Sequence, residues 1–164
     1  MRPAWNETFM EMAHVLAKRS TCLRLQTASI IVKDNVIISV GYNGSTPGAL
    51  HCSDHWREVE DDISDREFQF FLKSDDFQEM HHEWSVEHEL HGEMNAILFA
   101  SRSGIPLENS CLYTIYSPCI HCAKSIISCG IKQVYYQQDY HRDTRGVRFL
   151  RSRGIRVEQL FLGQ

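Results

Sequence analysis

The 164-residue sequence predicts an α/β fold, a three-layer αβα sandwich around a five-stranded mixed sheet. Three observations carry that expectation. Trp5, Phe9, Met12, Ala13 and Leu16 recur at helical spacing near the start. Two β-rich runs then follow with a two-residue turn signal between them. From His91 onward, helical and strand patterns alternate to the end, so the order reads helix, hairpin, helix, strand, helix, strand, helix, strand. A length of 164 residues with 43% hydrophobic content suits one domain over residues 1–164, with an insertion at about 45–80.

Each element has its own signal. The first helix, over residues 5–19, closes with Lys18 and Arg19, cations that suit the negative end of a helix dipole. Ala28 to Lys33 and Val36 to Val40 form the hairpin around Asp34-Asn35. Gly41-Tyr42-Asn43-Gly44 follows directly. Its glycines let backbone approach a ligand, and Asn43 carries both a donor and an acceptor, although an ordinary strand-ending turn accounts for the same letters. Ser45 to Met80 lacks clear periodicity and leans acidic through Glu58, Glu60, Asp61, Asp62, Asp65 and Glu67. Val59, Ile63, Phe68 and Phe71 suggest one short helix within Arg57 to Leu72, and the charges read as a solvated face.

The second half is more regular. Leu90, Met94, Ile97 and Leu98 make the core stripe of a helix over His91 to Ser103, which Gly104-Ile105-Pro106 ends. Phe99 and Arg102 lie further along it, ordinary helix residues by default, with Phe99 also a candidate to face a base. Cys111 to Tyr116 is the central strand, so Ser117 emerges at its carboxyl end, where open α/β sheets place ligands. Ile126, Ile127 and Cys129 pack the next helix, and Cys111 and Cys129 read as core. Val134 to Gln137 is a further strand, followed by Asp139-Tyr140-His141. Arg142, Arg145, Arg148, Arg151, Arg153 and Arg156 make the last helix basic, a phosphate or nucleic-acid surface, a solvated face or a partner for a neighbouring subunit's acidic insertion, and Arg156 to Leu160 closes the sheet.

Two short stretches carry the chemistry: His91-Gly92-Glu93, and Pro118-Cys119-Ile120-His121-Cys122. Cys119 and Cys122 are three apart, so on a helix they are neighbours on one face, and the positive end of the helix dipole favours their thiolate forms. With His91 they supply three zinc ligands and leave a fourth corner open. Glu93 is two residues from His91 and points elsewhere in a regular helix. His91 must therefore sit at the very first turn, leaving Glu93 free as a general base beside the metal. Alone, the cysteine pair also suits a redox pair or half of a structural zinc knuckle. The joint pattern favours a catalytic zinc.

H-x-E followed by P-C-x-x-C resembles the signature of zinc nucleobase deaminases. Gly41 to Gly44, Cys52, His81-His82-Glu83-Trp84, Glu89 to Leu98 and Tyr116 to Cys119 narrow the likeness to deoxycytidylate (dCMP) deaminases of the cytidine and deoxycytidylate deaminase superfamily, over about Cys22 to Ile155. The match is with phage-type members that carry a second zinc. The resemblance implies a cytidine deaminase-like fold and hydrolytic deamination of dCMP to dUMP and ammonia, which supplies dUMP for thymidylate synthesis. It implies a catalytic Zn²⁺ on His91, Cys119 and Cys122, with Glu93 moving the protons as water attacks C4. It also implies a structural Zn²⁺ on Cys22, Cys52, His81 and Glu89, for which His51, His55, His82 and His88 are rival ligands.

Among substrate contacts, the likeness points to Asn43, Ser117, Tyr140 and Phe99, with Tyr140 near the phosphate. It implies a homo-oligomer, commonly a hexamer, with dCTP plus Mg²⁺ and dTTP as effectors acting near Gly41, Tyr42, Gly44 and Arg102. Relatives usually write G-Y-N-G-S/T-P. Here Thr46 stands where that proline falls and Pro47 follows, which bears on the effector pocket and on dCMP against dCTP as substrate. Gly92 replaces a common Ala.

Two rival classes remain, a zinc deaminase acting on tRNA or single-stranded DNA and a non-catalytic zinc module, and the acidic balance weighs against the first. A net charge of −4 disfavours a duplex-binding surface. A deaminase of RNA or single-stranded DNA needs a basic, aromatic-lined groove, and a purely structural zinc module needs four ligands per metal. No apolar run reaches transmembrane length and residues 1–17 show no signal-peptide pattern, so the expectation is a cytoplasmic protein with no membrane partner and reduced cysteines.

Overall fold

A computed structural model describes residues 2–161. The chain runs α1 (Trp5–Ala17), β1 (Ala28–Lys33), β2 (Val36–Tyr42), β3 (Gly44–Ser45), α2 (Cys52–Val59), α3 (Asp65–Phe71), α4 (Asp75–His88) and β4 (Glu89–Leu90). It continues with α5 (Gly92–Arg102), β5 (Cys111–Tyr116), α6 (Ile120–Ser128), β6 (Gln133–Gln138), α7 (Arg145–Ser152) and β7 (Arg156–Gln159).

The main sheet has five strands in the order β2-β1-β5-β6-β7. β1 pairs antiparallel with β2 and with β5, whereas β5–β6 and β6–β7 are parallel, so the sheet is mixed, as its sequence pattern implies. Asp34 and Asn35 both take positive φ (51° and 60°), the geometry that a two-residue hairpin turn demands. Alternation along β1 splits its side chains between two cores. Ile30 and Val32 join Phe9, Met10 and Ala13 of α1 on one face, while Ile31 joins Ala96, Ala123 and Leu150 of α5, α6 and α7 on the other. That makes three layers.

The insertion departs from expectation. Instead of one short helix within residues 57–72, residues 45–88 fold into α2, α3 and α4, and α2 already ends at Val59. Ser64 and Glu67 form a capping box at the start of α3, and Ser74 caps α4 by accepting from the Phe77 amide. The three helices enclose a separate core in which Cys52, Trp56, Phe68 and Phe77 are buried together with Cys22. The basic run is also divided: Arg145, Arg148 and Arg151 lie on α7, Arg142 precedes it, and Arg156 opens β7.

The two-stranded β3–β4 pair, Gly44 opposite Leu90 and Ser45 opposite Glu89, ties the end of the hairpin to the start of α5. Gly41 completes that docking. A Cβ there would lie 2.2 Å from the Ala96 amide nitrogen and 2.4 Å from the Gly92 carbonyl oxygen, so β2 reaches α5 only because position 41 has no side chain. Its glycine therefore serves the packing of β2 on α5.

Candidate metal centre and active site

The amino ends of α5 and α6 converge beyond the carboxyl end of β5. His91 is the N-cap of α5, with extended backbone (φ −68°, ψ 155°), and Cys119 is the N-cap of α6. Because His91 stands just outside the helix, its ring does not follow the helical ladder. His91 and Glu93 can thus face one cavity despite lying two residues apart. Cys119 is likewise one step outside the regular helix expected for it. Its sulfur accepts the Cys122 amide at 3.5 Å, which closes the thiolate turn.

His91 Nδ1 lies 3.5 Å from each sulfur. A tetrahedral zinc with Zn–S of about 2.3 Å and Zn–N of about 2.0–2.1 Å requires nitrogen-to-sulfur edges of roughly 3.6 Å, so the three donor atoms already stand at metal-binding separation. Among the described residues they form a group of three, leaving one tetrahedral corner without a protein donor. Zinc is the ion that two thiols and an imidazole suit. The Cys119 sulfur, which receives the Cys122 thiol, is held well below the usual thiol range, and Cys122 is pushed up by the same contact and by burial. The thiolate beside His91 raises its imidazole to about 9. Glu93 is 5% exposed, and burial raises its carboxyl above the ordinary value.

The cavity has a volume of about 510 Å³ and is lined by both motifs together with Asn43, Tyr116, Ser117 and Tyr140. Ser117 Oγ accepts the Tyr140 amide at 2.8 Å, which fixes the 139–143 loop over the cavity. Asn43 lines it but is engaged elsewhere as well: Oδ1 accepts from the Thr27 amide at 2.9 Å and Nδ2 donates to the Leu25 carbonyl at 2.7 Å. One amide hydrogen remains for a ligand. Phe99 and Arg102 do not join this cavity. They lie toward the far end of α5, where Phe99 is 49% exposed with the Arg102 guanidinium 5.9 Å from its ring centroid. Tyr42 sits at the end of β2, where its carbonyl accepts from Asn95.

A second group of metal-capable atoms adjoins the first. Cys22 Sγ and Cys52 Sγ lie 3.4 and 3.3 Å from His81 Nε2, and these three atoms and a Glu89 carboxylate oxygen are mutually within 4.8 Å. The loop after α1, the first residue of α2, one face of α4 and strand β4 each supply one donor. Glu89 Oε1 is buried and has no hydrogen-bond partner among the described residues, as expected of an atom whose partner is an ion. Burial, reinforced by the Cys22 sulfur, lifts the Glu89 carboxyl to about 8. The rival histidines stand apart: His55 and His88 stack on Trp84 with centroids 4.7 and 4.8 Å away, His51 is the N-cap of α2, and His82 faces the cavity.

The family profile for the cytidine and deoxycytidylate deaminase zinc-binding region matches residues 3–138. The chain belongs to this family. Its place there makes it a zinc-dependent hydrolytic deaminase, with the three-donor group at the position such an enzyme requires. Among similar proteins are ComE operon protein 2 of Bacillus subtilis (strain 168), 38% identical over 99% of this chain and 75% of that protein, and the deoxycytidylate deaminase of Enterobacteria phage T4, 33% identical over 92% and 86%. The crystal structure of dCMP deaminase from the cyanophage S-TIM5 in complex with dCMP and dUMP superposes with a TM-score of 0.74 at 29% identity, covering 98% of this chain and 99% of that one.

Arg142 and Arg145 of the basic run reach the cavity, while Arg24 and Thr27 carry no signal in the linear sequence. Arg24, Arg142 and Arg145 come from separate loops and helix starts to line the mouth with His82. Burial lowers the His82 imidazole, and Arg142 and Arg24 are close enough to depress it further; Arg142 is itself lowered by burial and then by Arg24. Thr27 lines the cavity with its Oγ1 buried and without a partner among the described residues. No helix among the described residues is long and apolar enough to cross a membrane.

Proposed function

We propose that this chain hydrolyses dCMP to dUMP and ammonia and so supplies dUMP for thymidylate synthesis. The observation that carries this is the three-donor zinc group beside buried Glu93, in one cavity with Arg24, Arg142 and Arg145. His91, Cys119 and Cys122 hold the zinc, which when bound supplies Lewis-acid activation of a water at the open corner. Glu93 takes one proton from the attacking water and delivers it to N3 of the cytosine, then takes the remaining proton from the new C4 hydroxyl and passes it to the amine, which leaves as ammonia as the C4 carbonyl forms. Its raised carboxyl suits both directions of transfer.

Asn43 offers its remaining amide hydrogen to the sugar, and Ser117 orders the loop that carries Tyr140 toward the phosphate. Arg24, Arg142 and Arg145 supply the positive charge that a nucleotide requires and a free nucleoside does not. Deoxycytidylate deaminases among the relatives, and the dCMP and dUMP in the cyanophage enzyme, support this choice of substrate.

The finer expectations form part of the same proposal. Cys22, Cys52, His81 and Glu89 hold a second, structural Zn²⁺ that staples the insertion to β4. The enzyme is a cytoplasmic homo-oligomer with one deaminase domain over residues 1–164, responsive to dCTP with Mg²⁺ and to dTTP. The deciding experiment follows ultraviolet absorbance while purified protein is offered deoxycytidine, dCMP and dCTP in turn, each with and without added effector. Turnover of dCMP well above both others is the expected outcome. Preference for dCTP moves the substrate to the triphosphate, and turnover of none overturns the proposal.

A further inference from the structure

We propose that Asp143 is a positioning residue that ties the thiolate turn to the guanidinium of Arg145 at the cavity mouth, so that one carboxylate sets both. The inference rests on the deaminase function proposed above. Ile120 follows Cys119 directly and is the first residue of α6, so its amide has no acceptor within the helix. Asp143 Oδ2 accepts that amide at 2.9 Å. Its Oδ1 accepts from the Arg145 amide at 3.1 Å and from Arg145 Nε at 2.8 Å, while Oδ2 also takes Arg145 Nη2 at 3.1 Å. Four donors therefore fill the two oxygens.

A second contact presses the same loop onto the same turn. A Cβ at Gly146 would lie 1.8 Å from the Pro118 carbonyl oxygen and 2.9 Å from the Cys119 carbonyl carbon, so the first turn of α7 lies flush against the Pro118–Cys119 peptide. Residues 143–146 thus grip the thiolate turn by a hydrogen bond after Cys119 and by backbone contact before it. Cys119 Sγ in turn receives the Cys122 amide, so displacement of this grip moves a metal donor. On the other side the bidentate fork holds the Arg145 guanidinium, whose remaining N–H groups have no partner among the described residues and can meet a phosphate at the cavity it lines. Carboxylates just outside a metal's own ligands commonly set ligand orientation in this way.

A plain turn that merely opens α7 is the competing account, and it makes a different prediction. Asn forms such turns as well as Asp and would rescue every property. If Asp143 has both duties, Asn rescues only one: it keeps an oxygen for Ile120 but loses the charged fork to Arg145.

The test uses purified wild type, D143A, D143N and R145A, with folding checked by circular dichroism. Zinc retention is measured against a chromophoric chelator, and kcat and KM are measured with dCMP and with deoxycytidine. D143A should hold zinc about 10- to 100-fold more weakly. D143N should retain zinc like wild type while its KM for dCMP rises about fivefold, and R145A should show the same rise with zinc unaffected. Deoxycytidine KM should not move in D143N or R145A. Wild-type behaviour of D143N in both readouts, or unchanged zinc retention in D143A, overturns the proposal. If D143A does not fold, D143N and R145A still decide it through the split between zinc and KM. Wild type that binds zinc but leaves dCMP unchanged overturns the functional proposal instead, and the zinc measurements still judge Asp143.

Discussion

Replacing Glu93 by Gln removes the proposed proton carrier with the least other disturbance. The side chain is 5% exposed, so an isosteric amide keeps the packing of α5 against the sheet. Burial is the chief reason the carboxyl is raised, which means that the charged form is disfavoured where it sits, so loss of the charge should leave stability unchanged or slightly increased. Activity should behave oppositely. General acid–base work contributes about 10²–10⁴ in rate, or about 3–5 kcal/mol of barrier, and Glu93 is assigned delivery to N3 as well as protonation of the amine. A loss at or beyond the upper end is expected from following dCMP absorbance, with Glu93→Ala giving the same loss in rate plus a small cavity. Zinc content and melting temperature are measured on the same samples. Activity within tenfold of wild type refutes the assignment. So does loss of zinc together with activity, because Glu93 would then be a ligand and the fourth corner would be closed.

Three further outcomes follow from other parts of the molecule. In the metal-free protein the Cys119 thiolate raises His91 from 6.5 to about 9, so the imidazole carries a proton at pH 7 that zinc must displace. Apparent zinc affinity should therefore climb as pH rises toward 9 and weaken in acid, and calorimetry in buffers of differing ionisation heat should count two protons released at this site, one from His91 and one from the Cys122 thiol; a pH-independent affinity contradicts this. Cys52→Ser should lower zinc from two ions per chain to one, keep the ion on His91, and lower the melting temperature, whereas one zinc in the wild type removes the second site. Gly41→Ala should cost about 2–3 kcal/mol in a denaturant melt, because the new methyl meets backbone of α5 that cannot yield; a cost below about 0.5 kcal/mol would mean that β2 and α5 separate easily.

What was legible in the linear sequence is what depends on near neighbours along the chain. The strands alternate with period two, the hairpin turn needs two residues tolerant of positive φ, and the metal donors sit at helix starts. His91 with Glu93, and Cys119 with Cys122, were readable because a cap and its first turn determine where such side chains point. The insertion should have been more legible than it was. Ser64 with Glu67 three residues later is a capping-box signature, and Ser74 stands at the next helix start. α3 is only 7 residues long, and the inward stripe of α4, Phe77, His81 and Trp84, mixes a histidine with aromatics, so neither helix shows the aliphatic stripe that usually marks one.

The cavity mouth was illegible for a deeper reason. Arg24 and Arg142 are separated by most of the chain, and their cooperation exists only because β1, β5 and β6 place the loop before the first strand beside the loop after the last of these. The same Arg142 belongs to a basic run that composition alone leaves divided between a solvated face and a phosphate surface, and its exposed guanidinium also reaches the Gln78 carbonyl of α4. Asn43 shows the converse. Its pattern advertises a donor and an acceptor, yet most of that capacity holds Leu25 and Thr27 in place, so its value to a ligand depends on partners 16 and 18 residues away. On the proposed function, the catalytic chemistry of this chain is encoded locally, at two helix starts, while substrate recognition is encoded in the topology. A substitution that leaves both motifs intact but shifts the loop before β1 or the loop after β6 should therefore change which nucleotide is accepted before it changes how the amine is removed.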